Sequence, residues 1–197
     1  QAGNEKTAAS WLKRGLLIFI AGLMFAVVIW TPHNVFDWDI LTLIGASTLI
    51  IFLMRRIPVL AKLGIVSIIL HAAPPLRYLT DYGSHWDGIA YSYNFTPVDV
   101  TEGFFLHGYF PLLPWLVFPI MGYAVGEMFY AQGKERQLRG GMMGAIGLAF
   151  AILAGVGAIL SEYVPTGPGW FVSAFEFYPA STTFVLGTIG VTMVLLW

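Results

Sequence analysis

A chain of 197 residues that is 57% hydrophobic and only 11% charged lacks the charged skin of a soluble fold, in which about 25% of residues are charged. The mean hydropathy of +0.74 points the same way. A formal net charge of −1 gives no sign of a basic nucleic-acid-binding surface, and the absence of cysteine excludes disulfides and thiolate chemistry. The expectation is an all-α, polytopic transmembrane bundle of about six helices forming a single domain over residues 1–197. Lipid offers no partner to an open N–H or C=O, so each crossing needs a helix of roughly 20 apolar residues.

The chain opens at Gln1 without an initiator Met and stops at Trp197 inside an apolar run. It reads as a piece of a longer protein with further helices at both ends. The first predicted helix is Trp11–Trp30, and no small-residue cleavage site follows it, so it is not a signal peptide. The second, about Ile40–Met54, is short but extendable, with Asp37 and Asp39 before its N-terminus. The third is about Pro58–Pro75, ending at the proline pair and carrying His71 one turn earlier. A long segment, Leu76–Phe110, follows; such a length is either folded over the membrane surface or functional. The fourth helix, about Pro111–Tyr130, holds Pro111 and Pro114 in its first turn, where a missing N–H matters least, and Pro119 inside, where a kink is expected. Gly122 and Gly126 make a small-xxx-small packing face. The fifth helix is Gly140–Ser161 and the sixth Ala180–Trp197.

With alternating crossings, nine of the ten basic residues fall on one side: Lys6, Lys13, Arg14, Arg55, Arg56, Lys62, Lys134, Arg136 and Arg139. The positive-inside rule makes that side cytoplasmic, and the expected location is the cell (inner) membrane. Arg77 alone lies outside, among Asp37, Asp39, Asp81, Asp87, Asp99 and Glu102.

Ionisable groups near hydrocarbon are costly and mark candidate sites. His33, His71, His85 and His107 all gather toward the outer side. His71 and His107 are the catalytic candidates, and Arg77, Asp37 and Asp39 the substrate-binding ones. Each has a plainer reading. His71 can bond a neighbouring helix carbonyl, and Arg77 can clamp the long segment through Asp81. Asp37 or Asp39 can serve the dipole of the second helix, His33 and His85 can be solvated, and Glu127 can snorkel. No metal site is expected. Sugar rings stack on aromatics such as Tyr82, Trp86, Tyr91 and Tyr109, so a glycan or lipid-linked acceptor is conceivable, although an interfacial aromatic belt explains most of them. Asn94-Phe95-Thr96 matches a glycosylation acceptor only formally, before Pro97.

Phe110-Pro-Leu-Leu-Pro-Trp115, followed by Phe118-Pro-Ile-Met-Gly-Tyr-Ala-Val-Gly126, resembles the signature of the bacterial relatives of heparan-alpha-glucosaminide N-acetyltransferase. Asp39-Ile40-Leu41-Thr42 and Lys13-Arg14-Gly15 resemble other stretches of that family, over roughly residues 11–160. The resemblance implies a transmembrane acyltransferase that moves an acetyl group from cytoplasmic acetyl-CoA to an acceptor across the membrane, an amino sugar in the best-known case. The family's arginine–glycine motif and its catalytic outer-loop histidine would lie upstream of Gln1, so no residue here inherits that role. His71, Arg77 and His107 are read instead as lining the acceptor side. The competing expectation is a non-enzymatic membrane subunit that keeps the scaffold within a larger complex. A transporter fits less well, because the helix interiors carry few ionisable groups. Expected partners are membrane lipids, the acceptor, and membrane proteins or further copies of the chain, with no nucleic acid.

Overall fold

In the computed structural model, backbone is described for residues 2–30, 36, 38–86, 88, 91–92, 96–129, 134–163 and 173–197, and side chains for all of these except 2–8, 30, 129 and 134–139. Among the described residues every regular element is helical: α1 (Ala2–Trp30), α2 (Ile40–Met54), α3 (Val59–Leu79), α4 (Tyr82–His85), α5 (Pro97–Phe105), α6 (Leu112–Trp115), α7 (Val117–Phe129), α8 (Lys134–Leu160) and α9 (Thr182–Leu196). Three stretches are long and apolar enough to cross a membrane: Ala9–Ile29, Val59–Leu79 and Gly140–Leu160. Three shorter apolar helices accompany them: Ile40–Met54, Leu112–Met128 and Thr182–Leu196. At 1.5 Å per residue a 15-residue helix spans about 22 Å, less than the roughly 30 Å of hydrocarbon.

The helices gather into two compact units, Gln1–Ile57 with Leu76–Leu116, and Pro58–Pro75 with Val117–Trp197. In the first, α1 and α2 run antiparallel along glycines. A Cβ on Gly22 would lie 2.7 Å from the Thr42 amide nitrogen, and one on Gly45 would lie 2.5 Å from that of Phe19. Farther along, Gly15 faces Leu49. Close backbone approach of this kind replaces the hydrophobic drive that lipid removes. The second unit repeats the device in α8 and α9, where a Cβ on Gly190 would meet the Ala151 nitrogen at 2.6 Å and one on Gly147 would meet Met193 Cβ at 2.7 Å. At Gly122 and Gly126, the packing face expected from sequence, a Cβ would meet no described neighbour within 4 Å. The close approach lies on other helices.

The boundaries follow from local chemistry. α2 begins at 40 because Asp39 caps it, accepting from the Ile40 amide at 2.5 Å, and it ends where Arg55 turns back to the Phe52 carbonyl. It is not extended. α3 passes through Pro74 and Pro75 and ends at Leu79, beyond the expected stop. Proline inside a helix costs about 3 kcal/mol, and the continuation is held by Thr80 Oγ1 on the Leu76 carbonyl and by Arg77 gripping other main chain. The expected fourth helix is two pieces. Leu113 adopts φ −106° and ψ 123°, and its bond to Pro114 is cis. Pro119 does not kink the helix, because α7 starts at Val117 and an N–H at its third position has no partner within the helix anyway. The described part of the long segment holds two short helices, α4 and α5. Thr96 caps α5, accepting from the Asp99 amide at 3.1 Å, with Pro97 in the first turn. α5 is tied to the rest of its unit by Trp38, whose Nε1 donates to the Val100 carbonyl at 3.1 Å and whose ring meets Phe104 at 4.7 Å.

Candidate functional site

The polar centre of the first unit lies where the end of α3, the turn through α4 and the segment after α5 converge. α5 ends tightly, with the Glu102 carbonyl accepting from both the Leu106 and the His107 amides. Gly108 then takes φ +89°, which favours glycine, and the chain reverses toward α6. This places the imidazole of His107 inward, where only 1% of the residue is exposed.

Its Nε2 lies 2.7 Å from Thr80 Oγ1. When the Thr80 hydroxyl donates its single proton to the Leu76 carbonyl at 2.9 Å, Nε2–H of His107 is the donor to the hydroxyl oxygen. The neutral ring then keeps its lone pair on Nδ1, and among the described residues no hydrogen bond engages that atom. Around the ring stand His85, with centroids 4.9 Å apart and planes at 31°, and Tyr82, edge-on at 5.5 Å. Tyr91 meets Tyr82 at 5.6 Å, Trp86 at 4.6 Å and Tyr109 at 5.2 Å. The His85–Ser92 segment closes on itself: the Ser92 amide donates to the His85 carbonyl, and His85 Nδ1 donates back to the Ser92 carbonyl at 3.0 Å.

Arg77 lies one helical turn before Thr80. Its Nε donates to the Leu106 carbonyl at 3.3 Å and its Nη2 to the Leu113 carbonyl at 3.4 Å, and the guanidinium sits 5.3 Å from the Tyr82 ring centre. Asp81, expected as its partner, is not among these described contacts. Burial, and then the neighbouring His85 and Arg77, hold His107 down at about 4, against smaller opposing effects of Asp99 and Asp81. The ring is neutral at neutral pH.

The other expected site residues are placed differently. His71 belongs to the second unit and is exposed; its Nδ1 lies 2.7 Å from the carbonyl of Ser67, four residues earlier on its own helix. Asp39 serves as the cap of α2. Asp37, His33, Asp87 and Asn94 lie outside the described residues. Glu127 Oε2 accepts from Lys62 Nζ at 2.6 Å, and that lysine is 1% exposed with its ammonium 4.5 Å from the Tyr123 ring centre. Sequence reasoning assigned Lys62 to a basic turn and missed this pair. It also left His85 to solvent, though the ring stacks on His107. Among the described residues no group of His, Asp and Glu has the arrangement of a metal site. A groove of about 570 Å³ in the second unit, lined by Ala151, Ala154, Ala158, Phe175 and Gly187 among others, presents no ionisable side chain.

Residues 1–164 match a family profile described as the catalytic region of heparan-alpha-glucosaminide N-acetyltransferase. No curated protein and no solved structure gives a match. The match covers most of the chain and includes α5, the His107 segment and the proline string. With three helices long and apolar enough for a bilayer, this is a membrane protein that belongs to the heparan-alpha-glucosaminide N-acetyltransferase catalytic family.

Proposed function

We propose that the protein is a membrane acetyltransferase that takes its acetyl group from acetyl-CoA on the cytoplasmic face and passes it to an amino-sugar, glycan or lipid-linked acceptor on the other side of the inner membrane. His107 receives the acceptor's proton. In the reaction, the acceptor nitrogen or oxygen attacks the acetyl carbonyl and the carbon–sulfur bond breaks. The acceptor's proton goes to His107 Nδ1, and coenzyme A leaves as the thiolate and is protonated. Family membership supports acetyl transfer. The sequence distribution of Lys and Arg supports six crossings with the His107 side outward.

The observation that carries the role of His107 is its buried, neutral ring, held by Thr80 at Nε2 with no described hydrogen bond at Nδ1. A base held near 4 is unprotonated throughout the neutral range. The nearby Asp99 and Asp81 favour the imidazolium once the proton arrives. The half-buried rings of Tyr82, Trp86 and Tyr109, packed on the buried Tyr91, are the aromatic surface near His107 on which an acceptor ring would stack.

The test is transfer from labelled acetyl-CoA in membranes holding the wild-type chain or His107→Gln. General-base catalysis contributes about 10²–10⁴-fold, and a loss of that size with unchanged membrane insertion is expected. Full activity of His107→Gln removes the residue from the reaction. No transfer by the wild-type chain to any amino-sugar or glycan acceptor favours the non-enzymatic subunit.

A further inference from the structure

Two carbonyls that accept from Arg77 come from the two ends of one short segment. Leu106 immediately precedes His107, and Leu113 lies just before the Pro114 break that begins the run into α7. Between them the chain reverses at Gly108. Thr80 follows the last residue of α3, three residues after Arg77, and its amide still bonds the Leu76 carbonyl, so the two side chains share a face. The guanidinium holds the ends of the segment, and the hydroxyl holds the ring that the segment carries.

The planar guanidinium suits this task. It offers N–H donors in a fixed fork, so one side chain can reach two acceptors that no single helix aligns. A lysine ammonium is a compact point charge on a flexible stem and cannot hold both carbonyls with defined direction. The Tyr82 ring lies against the guanidinium and also meets His107 edge-on, so the clamp and the imidazole share a wall. The 106–113 segment is held locally at its start, by the Glu102 carbonyl, and at its end by the short α6, and the imidazole it carries has one described hydrogen-bond partner.

We infer that Arg77 is a positioning residue for His107: by gripping the Leu106 and Leu113 carbonyls it fixes the segment so that the imidazole meets Thr80 and presents Nδ1 to the acceptor. The inference rests on the reading of His107 as the proton acceptor. It differs from a role for Arg77 in binding the acceptor itself, because the described N–H directions of the guanidinium point at main chain of its own unit.

The test uses the full chain in detergent or membranes with Arg77→Lys and Arg77→Gln. Carbethoxylation of histidines by diethylpyrocarbonate, located by mass spectrometry, reads the seating of His107 without reference to activity. In the wild type His107 resists modification; in both variants it reacts severalfold faster, whereas His71, in the other unit, keeps its wild-type rate. Acetyl transfer loses about 100-fold in kcat, the scale of a misplacement near 1 Å, and the acceptor KM stays within a few-fold. Arg77→Lys does not rescue. A raised KM with wild-type kcat marks a ligand to the acceptor and overturns the inference. Unchanged protection of His107 in a folded variant overturns it whatever happens in His107→Gln. If His107 becomes reactive while transfer continues at the wild-type rate, the clamp stands and the reading of His107 as base falls. Failure of both variants to give folded protein assigns Arg77 to the stability of the whole unit and also overturns the inference.

Discussion

Each compact unit holds a cation against main chain or side chains of its own, Lys62 fully buried and Arg77 half-buried. In the second unit Lys62 meets a full opposite charge, with Glu127 Oε2 at 2.6 Å and the Tyr123 ring beside it. In the first, the contacts of Arg77 include the Leu106 and Leu113 carbonyls and the Tyr82 ring. A carboxylate neutralises its lysine and produces a local, closed arrangement. Carbonyls satisfy N–H groups of the guanidinium while its charge still acts on what stands nearby, and His107 is one of the groups that feels it. One device stabilises, and the other also sets up a site.

Experiment can test this contrast directly. The largest effect is expected at the Arg77 side: His107→Gln lowers acetyl transfer by about 10²–10⁴-fold, with little change in the melting curve at neutral pH. A variant equally impaired in folding and activity would erase the distinction between the two units.

At the Lys62 side the expected effect is on stability. Glu127→Gln leaves a buried ammonium without its counter-charge, which costs about 3 kcal/mol or more. At roughly 2–4 °C per kcal/mol for a chain of this size, the melting temperature falls by about 6–12 °C. The double replacement Lys62→Met with Glu127→Leu recovers most of that loss, because apolar residues of similar volume remove the desolvation penalty from both partners. No recovery would show that the pair does more than stabilise.

A pH titration separates the units more finely. An unfolded imidazole titrates near 6.5 and folded His107 at about 4, so between those values the unfolded chain binds more protons. The contribution of His107 is therefore complete above about 6.5 and is lost as the pH falls toward 4. Wild-type melting temperatures drop across that window, and His107→Gln shows a shallower slope. Equal slopes would mean that the ring is not buried as a neutral group. The smallest effect is expected at a cap: Asp39→Ala costs about 1 kcal/mol and leaves transfer unchanged, in keeping with Asp39 as an end-piece of α2 rather than an acceptor ligand. Reduced transfer in that variant, at full stability, would return Asp39 to the site.

How far the sequence reaches is visible at particular residues. Hydropathy located all six apolar helices to within a few residues except at the start of the first and fifth and around the prolines. It stopped α3 at Pro75 and ran one helix through Leu113. The α5 cap was legible but unread: Thr96-Pro97-Val98-Asp99 carries a capping residue, a first-turn proline and an acid at the third helical position. Histidine and arginine in the outer segment drew notice to Arg77 and His107. Their separation along the chain says nothing about the intervening Leu106 carbonyl that connects them.

Membrane class, helical content and approximate spans were already written in the order of the residues, because a long apolar run and an internally satisfied backbone are local properties. It took the folded chain to show which glycines bring helices together, that Lys62 meets Glu127 across 65 residues, and that Arg77 holds both ends of the His107 segment. Those contacts join groups distant in the chain, and a backbone carbonyl looks the same in every residue, so no local pattern could announce them.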